Sequence, residues 1–149
     1  MGEAVLGCRH RDLNHWYKEF CANQAIVQVE VTGQTGDGGI DGHGILRLGG
    51  LLSFHLIFQA KRWKGAVGAP HVRDFRAAMV GRADKGLRIT KGAFTKEAIK
   101  ESTLDGAPAI GLVDGDQLVD KLKQLSLGVS TKKIEVEQVS VDKKWFLGL

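Results

Sequence analysis

Apolar positions change their period along this chain, and each change marks an element. In residues 9–23, Leu13, Trp16, Tyr17 and Phe20 recur at three- and four-residue spacings, which lines one face of a helix. Over residues 26–31 the period drops to two. Val27, Val29 and Val31 alternate with Gln28 and Glu30, as in a strand with one buried face. Gly33-Gln34-Thr35-Gly36-Asp37-Gly38-Gly39 then reads as a turn, because glycines accept the positive φ angles of a tight reversal. A second strand follows over 40–48, Gly49-Gly50 reverse the chain, and a third strand runs over 53–62. Together these predict an antiparallel three-stranded meander.

The second half of the chain alternates strand and helix. Pro70 suits a helix start, with Val72, Phe75 and Met79 as its apolar stripe. A short strand over 86–90, a helix over 95–102, an apolar strand over 109–113 and a helix over 116–125 follow. Thr90 is read as a strand end and Thr95 as a helix cap. Alternation of this kind predicts an α/β fold, a mixed central sheet with helices covering its faces. Residues 132–141 place Ile134, Val136 and Val139 among charged neighbours and read as an edge strand. With no internal repeat, low-complexity run or linker, residues 1–149 read as one domain, with a core over 9–125 and a tail over 126–149.

Composition changes this picture little. A chain of 149 residues suits one sizeable core, and 43% apolar with 26% charged residues is a globular balance. The formal net charge of +4 and a pI of about 9.2 permit a polyanionic partner without requiring one. Cys8 and Cys21 make no disulfide framework and have no metal-ligand spacing. They read as small buried thiols in a reducing, cytoplasmic setting. No apolar run is long enough to span a bilayer, and the first residues lack a basic segment followed by a long apolar one. His10, His15, His43, His55 and His71 show no zinc-ligand spacing and are read as structural.

The third strand carries the candidate chemistry. Side chains alternate across a strand, so Gln59 and Lys61 share one face, while Phe54, Leu56, Phe58 and Ala60 share the other and supply core. Two readings are open for the polar pair: a strand emerging into solvent, or a site. Asp41, at the start of the second strand, favours the site, because antiparallel pairing brings it to the end of the third strand. Carboxylate and amide oxygens suit a hard cation such as magnesium, and a lysine there stabilises charge developing on a phosphate. The glycine turn is not a phosphate-binding P-loop, since it joins two strands and lacks the following lysine and helix.

Thr32-Gly33-Gln34-Thr35-Gly36-Asp37-Gly38-Gly39-Ile40-Asp41-Gly42 resembles the first active-site block of the Mrr-type restriction endonucleases. Phe58-Gln59-Ala60-Lys61-Arg62-Trp63 resembles their second, the Q-x-K variant of the PD-(D/E)xK nuclease motif. Gly68-Ala69-Pro70-His71-Val72-Arg73-Asp74-Phe75, Lys91-Gly92-Ala93-Phe94-Thr95-Lys96-Glu97-Ala98 and Leu112-Val113-Asp114-Gly115-Asp116-Gln117-Leu118 follow in the family's order. The resemblance implies a restriction-endonuclease-like core and a Mg2+- or Mn2+-dependent endodeoxyribonuclease of restriction type, acting on double-stranded DNA, with modified DNA as a candidate target, commonly as a homodimer. It implies Asp41 as the metal-binding aspartate, Gln59 in place of the motif's acidic ligand, and Lys61 as the catalytic lysine. Asp37, in the same turn, reads either as an auxiliary acid or as a turn aspartate bonding its own backbone. Arg62, Lys64, Arg73, Arg76 and Arg82 could grip phosphates, with Trp63 packing against sugar or base, although for each residue taken singly a solvated basic face is the plainer reading.

The first helix departs from the pattern. Family members carry a glutamate early in it that contributes to the metal site, and the matching position here is Asn14, with Glu19 more than a turn later. Asparagine offers a neutral oxygen and no charge, so divalent-cation affinity is expected to be weak, with substrate phosphate completing the site. Two functions therefore stay open: the nuclease, or a DNA-binding module that keeps the fold with little or no catalysis. Mrr-type enzymes often join this domain to a separate DNA-recognition domain, for which these residues leave no room.

Overall fold

The computed structural model describes residues 26–32, 39–63, 65–141 and 143–148. The expected first helix with Asn14, and the positions Asp37 and Lys64, lie outside the described residues. Along the chain run β1 (Ile26–Val31), β2 (Gly42–Leu48), β3 (Leu52–Lys61), β4 (Ala66–Val67), α1 (Ala69–Met79), β5 (Lys85–Thr90), β6 (Ala93–Phe94), α2 (Lys96–Ser102), β7 (Ile110–Val113), α3 (Gly115–Leu125) and α4 (Lys143–Leu147).

Among the described residues the main sheet has five strands in the order β1-β2-β3-β5-β7. The expected meander is present, with β1, β2 and β3 antiparallel. β5 then joins β3 in parallel, and β7 joins β5 in parallel. β4 and β6 form a separate parallel pair, Ala66 opposite Ala93 and Val67 opposite Phe94.

Helices cover both faces, which explains why Ile57, Phe58 and Ile89 of the central strands are all buried. On one face Ile57 packs with Val72, Phe75 and Met79 of α1 and with Ala98 and Ile110. Gly86 is required beneath this helix, since a Cβ there would lie 2.8 Å from both Met79 Sδ and Phe75 Cε1. On the other face Phe58 and Ile89 pack with Leu118 and Leu122 of α3. The α1 stripe is the expected one, and Pro70 sits in its first turn. Thr95 caps α2 by accepting the Ala98 N–H. α3 begins with a reciprocal capping box between Asp114 and Gln117, one residue earlier than its periodicity indicates.

Two features differ from the sequence reading. β1 carries a bulge: its pairing with β2 shifts between Val27 and Glu30, and Gln28 adopts φ +53°. The extra residue lets Ile26 and Val29, three apart, pack in one cluster with Leu56. The expected edge strand over 132–141 does not form. Ile134, Val136, Val139 and Val141 are 69–87% exposed. The alternation slips by one residue between Val136 and Val139, so neither face of a strand would be consistently apolar.

Candidate active site

The site begins where β2 parts from β3. Gly42 is the last β2 residue in register, opposite Phe58. Just before it, Asp41 donates its N–H to Phe58 O at 3.0 Å, and its own carbonyl accepts the Thr32 N–H at 2.9 Å. Both β1 and β3 therefore fix the aspartate backbone. Two residues beyond Phe58, the Ala60 N–H has no backbone acceptor from β2 opposite it. Asp41 Oδ2 accepts it instead, at 2.5 Å. A charge-assisted bond of this kind pins the carboxylate to the backbone between Gln59 and Lys61.

Gln59 is 6% exposed, which excludes the reading of a strand simply emerging into solvent at this residue. Its Nε2 donates to Gly39 O, and its Oε1 accepts from Arg88 Nη1, both at 2.5 Å. A carbonyl only accepts and a guanidinium only donates, so these partners fix which way the amide points. Gly39 is necessary for this arrangement. It holds φ +77°, and a Cβ would stand 2.6 Å from Gln59 Nε2.

Arg88 lies beside Gln59 in the parallel register of β3 and β5 and is 4% exposed. Its guanidinium also donates to His71 O at 3.1 Å, and Cζ lies 5.9 Å from the Phe75 ring centroid. Burial lowers its pKa from the usual arginine value, and the Asp74 carboxylate partly offsets that loss. An arginine so placed remains a cation at any working pH.

Lys61 is exposed, one strand step beyond Gln59 on the same face. Its Nζ lies 5.7 Å from the Trp63 ring centroid. The half-buried Trp63 in turn meets the His71 ring at 4.4 Å between centroids, tilted by 59°. The stack seats the lysine at the sheet end through a cation–π contact worth about 0.5–1 kcal/mol at an exposed position. Arg62 is exposed beside it.

Asp41, Gln59 and Lys61 thus share one end of the sheet with Trp63, while Arg73 and Arg76 do not join them. Both arginines pair with Glu101 of α2, at 3.2 Å and 2.5 Å. Arg76 also donates to the Glu101 carbonyl and, at 3.5 Å, to Pro108 O. With its side chain 13% exposed, Arg76 is a clamp between α1 and α2 and not an open phosphate contact. The sequence reading passed over Arg88 and treated His71 as a lone structural histidine. The available signal for Arg88 was a charge in the middle of an apolar strand, between Leu87 and Ile89.

The donors at the sheet end are hard oxygens, one carboxylate and one amide carbonyl, which suit Mg2+ or Mn2+ and not a soft metal. They supply few protein ligands. Among the described residues, no three His, Cys, Asp or Glu side chains group to hold an ion. The set fits a cation that keeps waters and takes phosphate oxygens, the usual habit of magnesium at nucleotide sites. A cavity of about 960 Å³ opens elsewhere, over β1, β2 and β3 between Gln28, His43, His55 and Arg82. It includes none of the three motif residues. No helix among the described residues is long and apolar enough to cross a membrane.

Comparison with known proteins identifies the family and the fold. Residues 5–122 fit the model of the Mrr catalytic domain, described as a restriction endonuclease. Over 115 residues the chain is 36% identical to the type IV methyl-directed restriction enzyme EcoKMrr of Escherichia coli (strain K12). That alignment covers 76% of this chain and 36% of the enzyme, so the chain spans about a third of that relative's length. Among solved structures it resembles the DNA modification-dependent restriction endonuclease AspBHI, with a TM-score of 0.58 and 23% identity. The match covers 85% of this chain and 36% of the other, and it speaks to the fold.

Proposed function

Because this chain belongs to the Mrr-type restriction endonuclease family, we propose that it hydrolyses phosphodiester bonds of double-stranded DNA in a divalent-metal-dependent reaction. One observation carries the reading: Asp41 Oδ2 is bonded to the backbone of the strand step that separates Gln59 from Lys61. An acid, an amide oxygen and a lysine at one sheet end are the parts that phosphodiester hydrolysis requires.

Asp41 and Gln59 would hold the ion. When bound, a divalent cation neutralises the phosphate and lowers the pKa of a coordinated water. The chain's own residues supply the rest. Asp41 brings the negative charge that attracts the ion and is fixed against Ala60, so no reorganisation is needed as the reaction proceeds. Lys61 places a positive charge beside the scissile phosphate, where it stabilises the oxygens that gain charge in the transition state. Trp63 restricts the lysine to this end of the sheet. Arg62 and Trp63 continue the strand end and would contact the DNA backbone, and Arg73, half-exposed on α1, lies further out. Asp37 and Asn14 are retained as auxiliary positions. Two copies acting together would cut both strands. The relatives' names point to modified DNA as the target and to a restriction role, for which the cytoplasm is the fitting compartment.

Supercoiled plasmid, methylated and unmethylated, incubated with Mg2+, Mn2+ or EDTA, tests the reading. Metal-dependent nicking by the wild type, lost in Asp41→Ala and Lys61→Ala, is expected. If wild type and both variants bind DNA alike and none cuts it, the protein is a DNA-binding module on a nuclease fold.

A further inference from the structure

Arg88 is buried and charged, yet its hydrogen-bond acceptors, Gln59 Oε1 and His71 O, are both neutral. Asp74 acts on it through space only, without an ion pair. A guanidinium in the seam between sheet and helix carries a large desolvation penalty that two neutral acceptors do not cancel. An acid at position 59, as in the usual form of the motif, would neutralise it. Glutamine does not. Among the described residues the sheet end therefore holds one negative charge, Asp41, against Lys61, Arg62 and Arg88.

We propose that Arg88 is a positioning residue that fixes Gln59 and makes divalent-ion binding at this site conditional on DNA. The inference rests on the nuclease reading above. Gln59 Oε1 has two lone-pair directions, and Arg88 Nη1 occupies one. A metal approaching that oxygen would share it with a fixed cation and be repelled by it through a partly buried, poorly screened medium. A DNA phosphate adds negative charge against these cations and brings further oxygens. The order of assembly then runs from DNA to metal. Arg88 would also keep Gln59 pointed at the site while the ion is absent.

The test measures Mn2+ binding by the free-ion electron paramagnetic resonance signal, on the whole chain, with and without a short DNA duplex. The variants are Arg88→Met, Arg88→Gln, Arg88→Lys and Asp41→Ala, with circular dichroism to establish folding. Without DNA, the neutral variants are expected to bind Mn2+ about tenfold more tightly than wild type, because a nearby repelling charge has gone. Arg88→Lys, which keeps the charge, is expected to stay weak. Adding the duplex should tighten wild-type Mn2+ binding more than that of the neutral variants. A residue that only supports the fold would leave affinity unchanged or reduce it on removal. Arg88→Gln retains a donor for Gln59 should the methionine variant not fold. A folded neutral variant with wild-type Mn2+ affinity in the absence of DNA overturns the proposal. Unchanged Mn2+ binding in Asp41→Ala would instead overturn the assignment of the metal site itself.

Discussion

Asp41 has two possible jobs, and replacing it by asparagine separates them. The carboxylate accepts the Ala60 N–H at 2.5 Å, which makes it a structural clasp between β3 and the start of β2. In the proposed reaction it is also the charged ligand of the cation. Asp41→Asn keeps an oxygen for Ala60 and removes the charge, whereas Asp41→Ala removes both. Charged hydrogen bonds are roughly twice as strong as neutral ones, so the asparagine variant should lose about 1 kcal/mol of stability. The alanine variant strands a partly buried N–H and should lose about 1–3 kcal/mol. With a urea slope of about 2 kcal/mol per molar, the midpoints should fall by about 0.5 M and about 1 M. Plasmid nicking should behave differently and fall by at least about 100-fold in both variants, because the metal's charged ligand is absent from both. Initial nicking rates in Mg2+ and urea midpoints on the same preparations decide the matter. Near wild-type cleavage by Asp41→Asn, with loss only in Asp41→Ala, would falsify the ligand role and leave Asp41 as a backbone clasp.

Gly39→Ala and Gly50→Ala share a positive φ, +77° and +74°, but only the first meets Gln59, at 2.6 Å. Both should lose about 1 kcal/mol for the left-handed conformation, and Gly39→Ala a further 1 kcal/mol or so with the Gln59 bond. Only Gly39→Ala should impair cleavage, so equal activity in the pair refutes the need for a fixed Gln59. Arg76→Ala strips Glu101, itself 14% exposed, of its closest cation. It should destabilise by about 3 kcal/mol, the usual result of breaking a buried pair from one side. Arg73→Ala, whose side chain is 57% exposed, should change stability by about 0.5 kcal/mol or less. Matching urea curves for the two arginine variants would show that Arg76 is not a clamp.

The parts of the fold legible in the sequence are those where one local rule decides. The pleat forces alternation, so Gln59 and Lys61 had to share a face opposite Phe58 and Ala60, and the sheet follows this. α1 was readable for the same reason, since Val72, Phe75 and Met79 meet the core at helical spacing. The β1 bulge was not, because nothing in Val27-Gln28-Val29 signals an extra residue. It exists to bring Ile26 and Val29 together over Leu56, a tertiary demand. Residues 132–141 show the converse: strand-forming residues without a consistent face or an edge in reach stay exposed.

The site divides along the same line. Asp41 could be placed because antiparallel pairing through a turn carries a residue's position across to its neighbour. The arginines could not be sorted by type alone. Arg76 finds Glu101 at a separation of 25 residues, and a basic residue on an amphipathic helix reads identically whether it meets a phosphate or a carboxylate. Arg88 was within reach of a stricter argument. A strand in the middle of a strand–helix alternation is covered on both faces, so a charge between Leu87 and Ile89 has no direct path to solvent and must have a partner in the next strand. Parallel pairing with β3 puts Gln59 in that position. The neutral residue in the nuclease motif and the unexplained charge in β5 are therefore one feature, and whatever glutamine contributes at position 59 depends on the arginine beside it.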